Sequence, residues 1–275
     1  MADQPWVTLN DGRQMPQLGL GVWQAPADGT AGVVRAAIQA GYRHIDTAMI
    51  YRNEVGVGEG VRSSGVARGD VFVTTKLWND DQGFDASLRA FDASLQRLGM
   101  EFVDLYLIHW PSPSRNLYLD SWRAMVRLRE EGRVRSIGVS NFAPAHLDRI
   151  VGETGVVPAV NQIELHPRFQ QAPLRGVHAD LGVVTESWSP LGQGALLSDP
   201  VVAGVAAKHG RSTAQIVIRW HLDLGLIVIP KSVDPGRIAE NFGVFDFRLD
   251  AVDLAVLGAL DHPRGRIGPD PAAFG

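Results

Sequence analysis

Cysteine is absent from the 275 residues, which excludes disulfide frameworks, Cys–zinc sites, iron–sulfur clusters and thiol nucleophiles together. Lysine is almost absent. Lys76, Lys208 and Lys231 are the only lysines among 26 basic residues, and the other 23 are Arg. No apolar run approaches the roughly 18 residues that a membrane-spanning helix needs. The opening Met1-Ala2-Asp3-Gln4-Pro5 has neither the basic nor the apolar region of a signal peptide. A net charge of −4 leaves no basic footprint for nucleic acid. The eight histidines show no His-Glu-x-x-His spacing, so metal catalysis is not expected. The expectation is a soluble, cytoplasmic protein without membrane or nucleic-acid partners.

With 45% hydrophobic and 20% charged residues, the chain has the composition of an ordinary globular protein and can bury a sizeable core. No linker, repeat or low-complexity stretch divides it, so one domain over 1–275 is expected. Asn10-Asp11-Gly12, between two short extended stretches, predicts an N-terminal β-hairpin. Beyond it, strand-like runs end near Trp23, Asp46, Lys76, His109, Ser140, Glu164, Ser187 and Lys231, with helix-period segments between them. Phe84, Leu88, Phe91, Leu95 and Leu98 make one apolar helical stripe, and Ser212 caps a helix that stops near Gly225. Eight such alternations predict a (β/α)8 TIM barrel, an α/β fold. A doubly wound sheet shares the alternation, but no Gly-x-Gly-x-x-Gly turn is present. Gly56-Val57-Gly58-Glu59-Gly60 has Val61 in the sixth position, and its glycines are expected in helix packing.

Chemistry in a barrel sits at the C-terminal strand ends. There the sequence places Asp46, Lys76 and His109, with Tyr51 in the loop after Asp46. A phenol titrates near ~10, too high for ready proton exchange at neutral pH. A neighbouring ammonium lowers that value, and a carboxylate holds the ammonium in place. Together with His109 orienting an oxygen, Asp46, Lys76 and Tyr51 would form a proton donor for a developing oxyanion. Each residue also has a plain structural reading: helix cap, loop aromatic, solvated strand end or core histidine. A lysine at a barrel strand end equally allows a Schiff-base aldolase acting through Lys76. Trp23, Trp78 and Trp110 are candidates for the apolar wall of a substrate pocket, or for caps on the barrel core. Near the last strand, Lys231-Ser232 precedes a helix start at Pro235, with Arg237 on its first turn. That combination suits a phosphate.

Gly41-Tyr42-Arg43-His44-Ile45-Asp46-Thr47-Ala48 with Tyr51, Val103 through Pro111, Ile137 through Phe142, Asn161 through Pro167 and Ile229 through Ser232 resemble the signatures of the aldo-keto reductase family. Within it the chain is most similar to the short bacterial 2,5-diketo-D-gluconate reductases. The resemblance implies a barrel that binds NADPH without a Rossmann fold and acts as a monomer. It also implies a catalytic tetrad at Asp46, Tyr51, Lys76 and His109. Tyr51 would be the general acid in reduction of an aldehyde or ketone, with a keto sugar acid such as 2,5-diketo-D-gluconate among the substrates. His109 would point to C=O rather than C=C chemistry. Ser140, Asn141 and Gln162 would hold the nicotinamide carboxamide and Trp188 would stack on its ring. Leu191, Gly192 and Gln193 would follow the pyrophosphate. Lys231, Ser232 and Arg237 would take the 2′-phosphate, implying NADPH over NADH, and Glu240 and Asn241 the adenine, with Ser189 and Val233 as further cofactor-binding residues. Arg52 and Trp23 depart from what similar reductases carry beside the pocket. A non-catalytic NADPH-binding protein on the same fold is a further alternative.

Overall fold

Val7 and Met15 pair across the N-terminal hairpin of the computed structural model, between strands β1 (Trp6–Thr8) and β2 (Gln14–Pro16). Residues 4–275 are described, so the reading of Met1–Asp3 lies outside them. Gly12, with φ +83°, makes the turn where the sequence predicts it. Leu9 and Met15 pack against Phe72, Val160 and Ile227, the first residues of three barrel strands, so the hairpin closes the barrel floor.

Eight parallel strands follow in sequential order: β3 (Leu20–Gly21), β4 (His44–Asp46), β5 (Phe72–Leu77), β6 (Val103–Ile108), β7 (Val134–Ser140), β8 (Val160–Glu164), β9 (Val184–Trp188) and β10 (Ile227–Val228). Bridges Leu18–Val228 and Gly21–Lys231 join the first to the last, with Gly19 N donating to Val228 O at 2.9 Å. The sheet thus curls into the expected barrel. Strands β5 and β6 are buried at every position, because one face meets the barrel interior and the other meets helices.

Helices α1 (Thr30–Ala40), α2 (Glu54–Arg62), α3 (Phe84–Leu98), α4 (Tyr118–Glu130), α5 (Pro144–Thr154) and α6 (Ala172–Leu181) alternate with the strands. Two helices, α7 (Pro200–His209) and α8 (Thr213–Asp223), lie between β9 and β10, and α9 (Pro235–Phe242) and α10 (Ala251–Gly258) follow. The alternation is therefore richer than one helix per strand. Helix α3 spans the predicted stripe and buries Phe91 and Leu98. Ser212 and Gln215 form a reciprocal capping box that starts α8, as the serine suggests.

The glycines of α2 serve packing. A Cβ on Gly58 would stand 1.8 Å from the backbone oxygen of Leu98, and one on Gly60 2.6 Å from Val34 Cβ. Gly58→Ala must push α2 away from the end of α3. We expect a loss of about 1–3 kcal/mol, read as a lower urea midpoint with unchanged slope. An unshifted midpoint would show that the contact yields freely.

Candidate active site

The upper end of the barrel opens into a cavity of about 510 Å³. Asp46 ends β4, Lys76 lies on β5, and His109 directly follows β6. Tyr51 ends a single 3₁₀ turn, Met49–Tyr51, and the chain then reverses through Arg52 in the left-handed region at φ +58°. Asn53 holds this loop down. Its amide donates to Val22 O at 2.9 Å, and its carbonyl accepts from Thr47 Oγ1 at 2.8 Å. The four residues marked in the sequence therefore converge, three bordering the cavity and Lys76 beneath it.

Lys76 is fully buried and its Nζ donates to Asp46 Oδ1 at 2.5 Å and to Thr47 O at 2.9 Å. It stands 5.3 Å from the centroid of the Tyr51 ring. The His109 ring lies edge-on to Tyr51 at 5.7 Å and to Trp78 at 5.2 Å. Burial opposes the Lys76 charge, but Asp46 and Tyr51 together push its pKa above the usual lysine value. Burial likewise pushes the Asp46 carboxyl up, and Lys76 and Gln162 oppose it. The pair holds its two charges because each compensates the other. A Schiff-base lysine needs a neutral amine open to substrate; the fully buried, paired Lys76 is the reverse.

One expectation reverses. Lys76 does pull the Tyr51 phenol down, but burial outweighs it and leaves the pKa above its ordinary value of 10. Tyr51 is therefore a neutral phenol at physiological pH, with an ammonium ready to stabilise the phenolate once the proton leaves. Burial first, and Lys76 second, hold His109 well below the usual histidine value, so its imidazole is neutral. Both side chains can donate a hydrogen bond into the cavity without carrying charge.

Trp23, Trp78 and Trp110 line the cavity as expected. Trp23 is 43% exposed and Trp110 only 7%, so the wall runs from rim to floor. Ser140, Asn141, Gln162, Trp188, Ser189, Gln193 and Lys231 border the same space. Trp188 Nε1 donates to Asn141 Oδ1 at 2.9 Å, and Asn141 Nδ2 donates to His109 O at 3.0 Å. That chain of bonds fixes the indole beside His109. Leu191, Gly192, Ser232, Val233, Arg237, Glu240 and Asn241 are not among the lining residues. Helix α9 begins at Pro235 as the sequence suggests, but Asp234 caps it by accepting from Arg237 N at 2.8 Å. A carboxylate thus occupies the first turn of α9, with Lys231 just ahead of it and Arg237 on the turn itself. Lys208 is elsewhere, on α7, paired with Asp250 and Asp253.

Sequence reasoning missed the C-terminal tail. Phe274 packs 4.6 Å from Trp110 and 6.4 Å from Trp78 by ring centroids, adding a fourth aromatic to the wall. Glu164 holds the tail, accepting from Ile267 N at 2.6 Å and Gly268 N at 2.8 Å. Gly268 lies so close that a Cβ would meet Trp188 at 2.4 Å. No local pattern marks these contacts, which join residues 80 or more positions apart. Gln24, Ile50 and Pro269, also lining residues, carry no chemical signal.

His44, Asp46 and Glu186 bring three ligand-type atoms within 4.8 Å of one another. The Lys76 ammonium and Gln162 amide already occupy the Asp46 oxygens, so the cluster has its own positive charge.

A model of the Aldo/keto reductase family matches residues 17–262. The chain is similar to an aldo-keto reductase of Mycolicibacterium smegmatis, with 60% identity over 270 residues and 98% of each chain covered. It is similar to the methylglyoxal reductase DkgA of Yersinia pestis, at 53% identity over all of this chain and 99% of that one. Among solved structures, a mutant of Gox0644 in complex with NADPH superposes with a TM-score of 0.96, at 52% identity and full coverage of both chains.

Proposed function

Since the chain belongs to the aldo/keto reductase family, we propose that it reduces aldehydes or ketones to alcohols with NADPH, and that Tyr51 supplies the proton. The observation that carries this reading is the buried Asp46–Lys76 pair, at 2.5 Å, beneath the Tyr51 ring in an aromatic cavity. The lining residues also suit the cofactor. Two amides and a hydroxyl match a carboxamide, the Trp188 face matches a flat ring, and the Lys231 cation, with Arg237 outside the cavity on α9, matches a phosphate. Ser140, Asn141 and Gln162 would hold the carboxamide and Trp188 the ring. Ser189, Leu191, Gly192 and Gln193 would follow the pyrophosphate. Lys231, Ser232, Val233 and Arg237 would take the 2′-phosphate, and Glu240 and Asn241 the adenine.

Bound NADPH supplies a hydride to the carbonyl carbon. The neutral His109 orients the carbonyl oxygen by a hydrogen bond, and the Tyr51 hydroxyl donates its proton to that oxygen. Lys76, fixed by Asp46, stabilises the phenolate left behind. The aromatic wall of Trp23, Trp78, Trp110 and Phe274 limits water around these groups, where each charge interaction is stronger than in bulk solvent.

For the substrate, a keto sugar acid remains the reading closest to the resemblance. Lys231 is the sole ammonium or guanidinium among the lining residues, and the proposal assigns it to the cofactor. This favours an uncharged carbonyl compound, the class to which methylglyoxal belongs. NADPH consumption over methylglyoxal, 2,5-diketo-D-gluconate and neutral aldehydes tests both levels. Turnover of none would overturn the reductase reading, and turnover of the sugar acid alone would overturn the preference for neutral compounds.

The phosphate reading has its own test. Arg237→Ala is expected to raise KM for NADPH about tenfold, the loss of one charge-assisted hydrogen bond, with KM for NADH little changed. Equal effects on both cofactors would remove Arg237 from the 2′-phosphate.

A further inference from the structure

Glu186, on β9, is fully buried in the barrel interior and was not marked by its sequence context. Its Oε2 accepts from Gln162 Nε2 at 2.9 Å, and the same nitrogen donates to Asp46 Oδ2 at 2.8 Å. One amide therefore bridges two carboxyl groups, and Asp46 in turn holds Lys76 through its other oxygen. With the nitrogen committed to both carboxyls, the carbonyl end of Gln162, a lining residue, is left for the cavity. Were Glu186 apolar, only Asp46 would restrain the amide, and the end it presents would no longer be set from both sides.

The surroundings of Glu186 are specific. Its Oε1 has no hydrogen-bond partner and stands 3.6 Å from Nε2 of the buried His44. His44 is neutral, held at about 3 by burial and by Lys76. The charged groups facing Glu186 are thus Asp46 and Lys76, with Tyr51 close enough for the Glu186 charge to act on its phenol. Asp46 has the ammonium in direct contact; Glu186 does not.

We propose that Glu186 is a positioning residue for this reaction, one whose carboxyl, sharing the Gln162 amide with Asp46, sets which end of that amide faces the cofactor carboxamide. The inference rests on the reductase reading for its cofactor. Burial and the Asp46 charge place Glu186 at about 8, so it is a neutral acid at pH 7. Ionisation above that point sets a second anion beside Asp46, competing for Lys76 and Gln162. Turnover should then decline on the alkaline side as Glu186 loses its proton.

Three proteins test this: the full-length wild type, Glu186→Leu and Glu186→Gln. The side-chain amide resonances of Gln162, assigned by their disappearance in Gln162→Leu, report its hydrogen bonds without cofactor. In Glu186→Leu one of these two protons should move to the solvent-exposed range. NADPH affinity by calorimetry should weaken about tenfold, the loss of one buried hydrogen bond, with kcat at saturating NADPH less affected. Glu186→Gln keeps an acceptor and should restore most of the affinity, while its turnover lacks the decline near pH 8. Unchanged amide resonances together with unchanged affinity in Glu186→Leu would overturn the proposal. If that variant does not fold, the glutamine variant decides: an alkaline decline like that of the wild type overturns it, and its loss supports it. A wild type that neither binds nor oxidises NADPH would defeat the reductase reading instead, and the amide resonances would still decide whether Glu186 orients Gln162.

Discussion

Tyr51→Phe is expected to lower kcat about 10²–10⁴-fold, the usual worth of a positioned general acid, while NADPH affinity changes little. Phenylalanine keeps the ring that packs edge-on to His109 and removes only the hydroxyl. The barrel and the Asp46–Lys76 pair should therefore survive. The donor role proposed for Tyr51 rests on the balance of two opposed forces. Burial raises the phenol above its ordinary value, and Lys76, 5.3 Å from the ring centroid, pulls it back. In the resting protein burial prevails and the proton is present. In the proposed reaction the proton departs during reduction, and the ammonium then faces an anion that it stabilises. Steady-state kinetics with calorimetry of NADPH binding separate the two readouts. A kcat within a few-fold of wild type would move the proton source to His109 or to water.

The second large effect is acid unfolding near pH 5. His44, His109, His178 and His221 are buried and held neutral, chiefly by burial, with His44 at about 3 and His178 and His221 at about 4. In the unfolded chain each returns to about 6.5. Their folded values are depressed, so between pH 6.5 and about 4 the unfolded state binds more protons than the folded one. Stability therefore falls as pH falls through that window, by about 1.4 kcal/mol per pH unit for each histidine once its unfolded form is charged. Glu186 acts in the opposite direction. Its folded value of about 8 lies above its ordinary 4.5, so its contribution is complete at low pH and is lost as pH rises through 8. The net of three protons makes a slope of about 4 kcal/mol per pH unit. Against the lower end of the usual range of about 5–15 kcal/mol, that slope exhausts the stability about one to one and a half pH units below the start of the window, near pH 5. Urea unfolding at pH 7, 6 and 5 measures the slope directly. A stability constant across these values would show that the buried imidazoles are protonated inside the fold.

The strand ends were readable because a barrel strand is punctuated chemically: an apolar run stops where the chain meets the polar mouth. Asp46, Ser140 and Glu164 end their strands as read, and the others differ by one to three residues. Helix α3 was readable from its period and α8 from its serine cap, both local properties. Asp46, Lys76 and His109 were legible as residue types at or beside successive strand ends, with Tyr51 in the loop after Asp46, and the structure brings these four together. The sign of the Tyr51 shift was not legible. Proximity to an ammonium is visible in spacing; complete burial of the phenol is a property of everything packed around it.

Short-range periodicity, caps and motif spacing were enough to mark most of the elements, the barrel class and the inventory of chemical groups. Everything else depended on how the chain closes. Closure of β3 against β10 brings together residues about 200 positions apart. It seats Phe274 on Trp110, ties the tail to Glu164, and places the Glu186 carboxyl across an amide from Asp46. A carboxyl in a sequence is one of many. Its dielectric surroundings and partners exist only once the chain has closed, and those surroundings set its protonation.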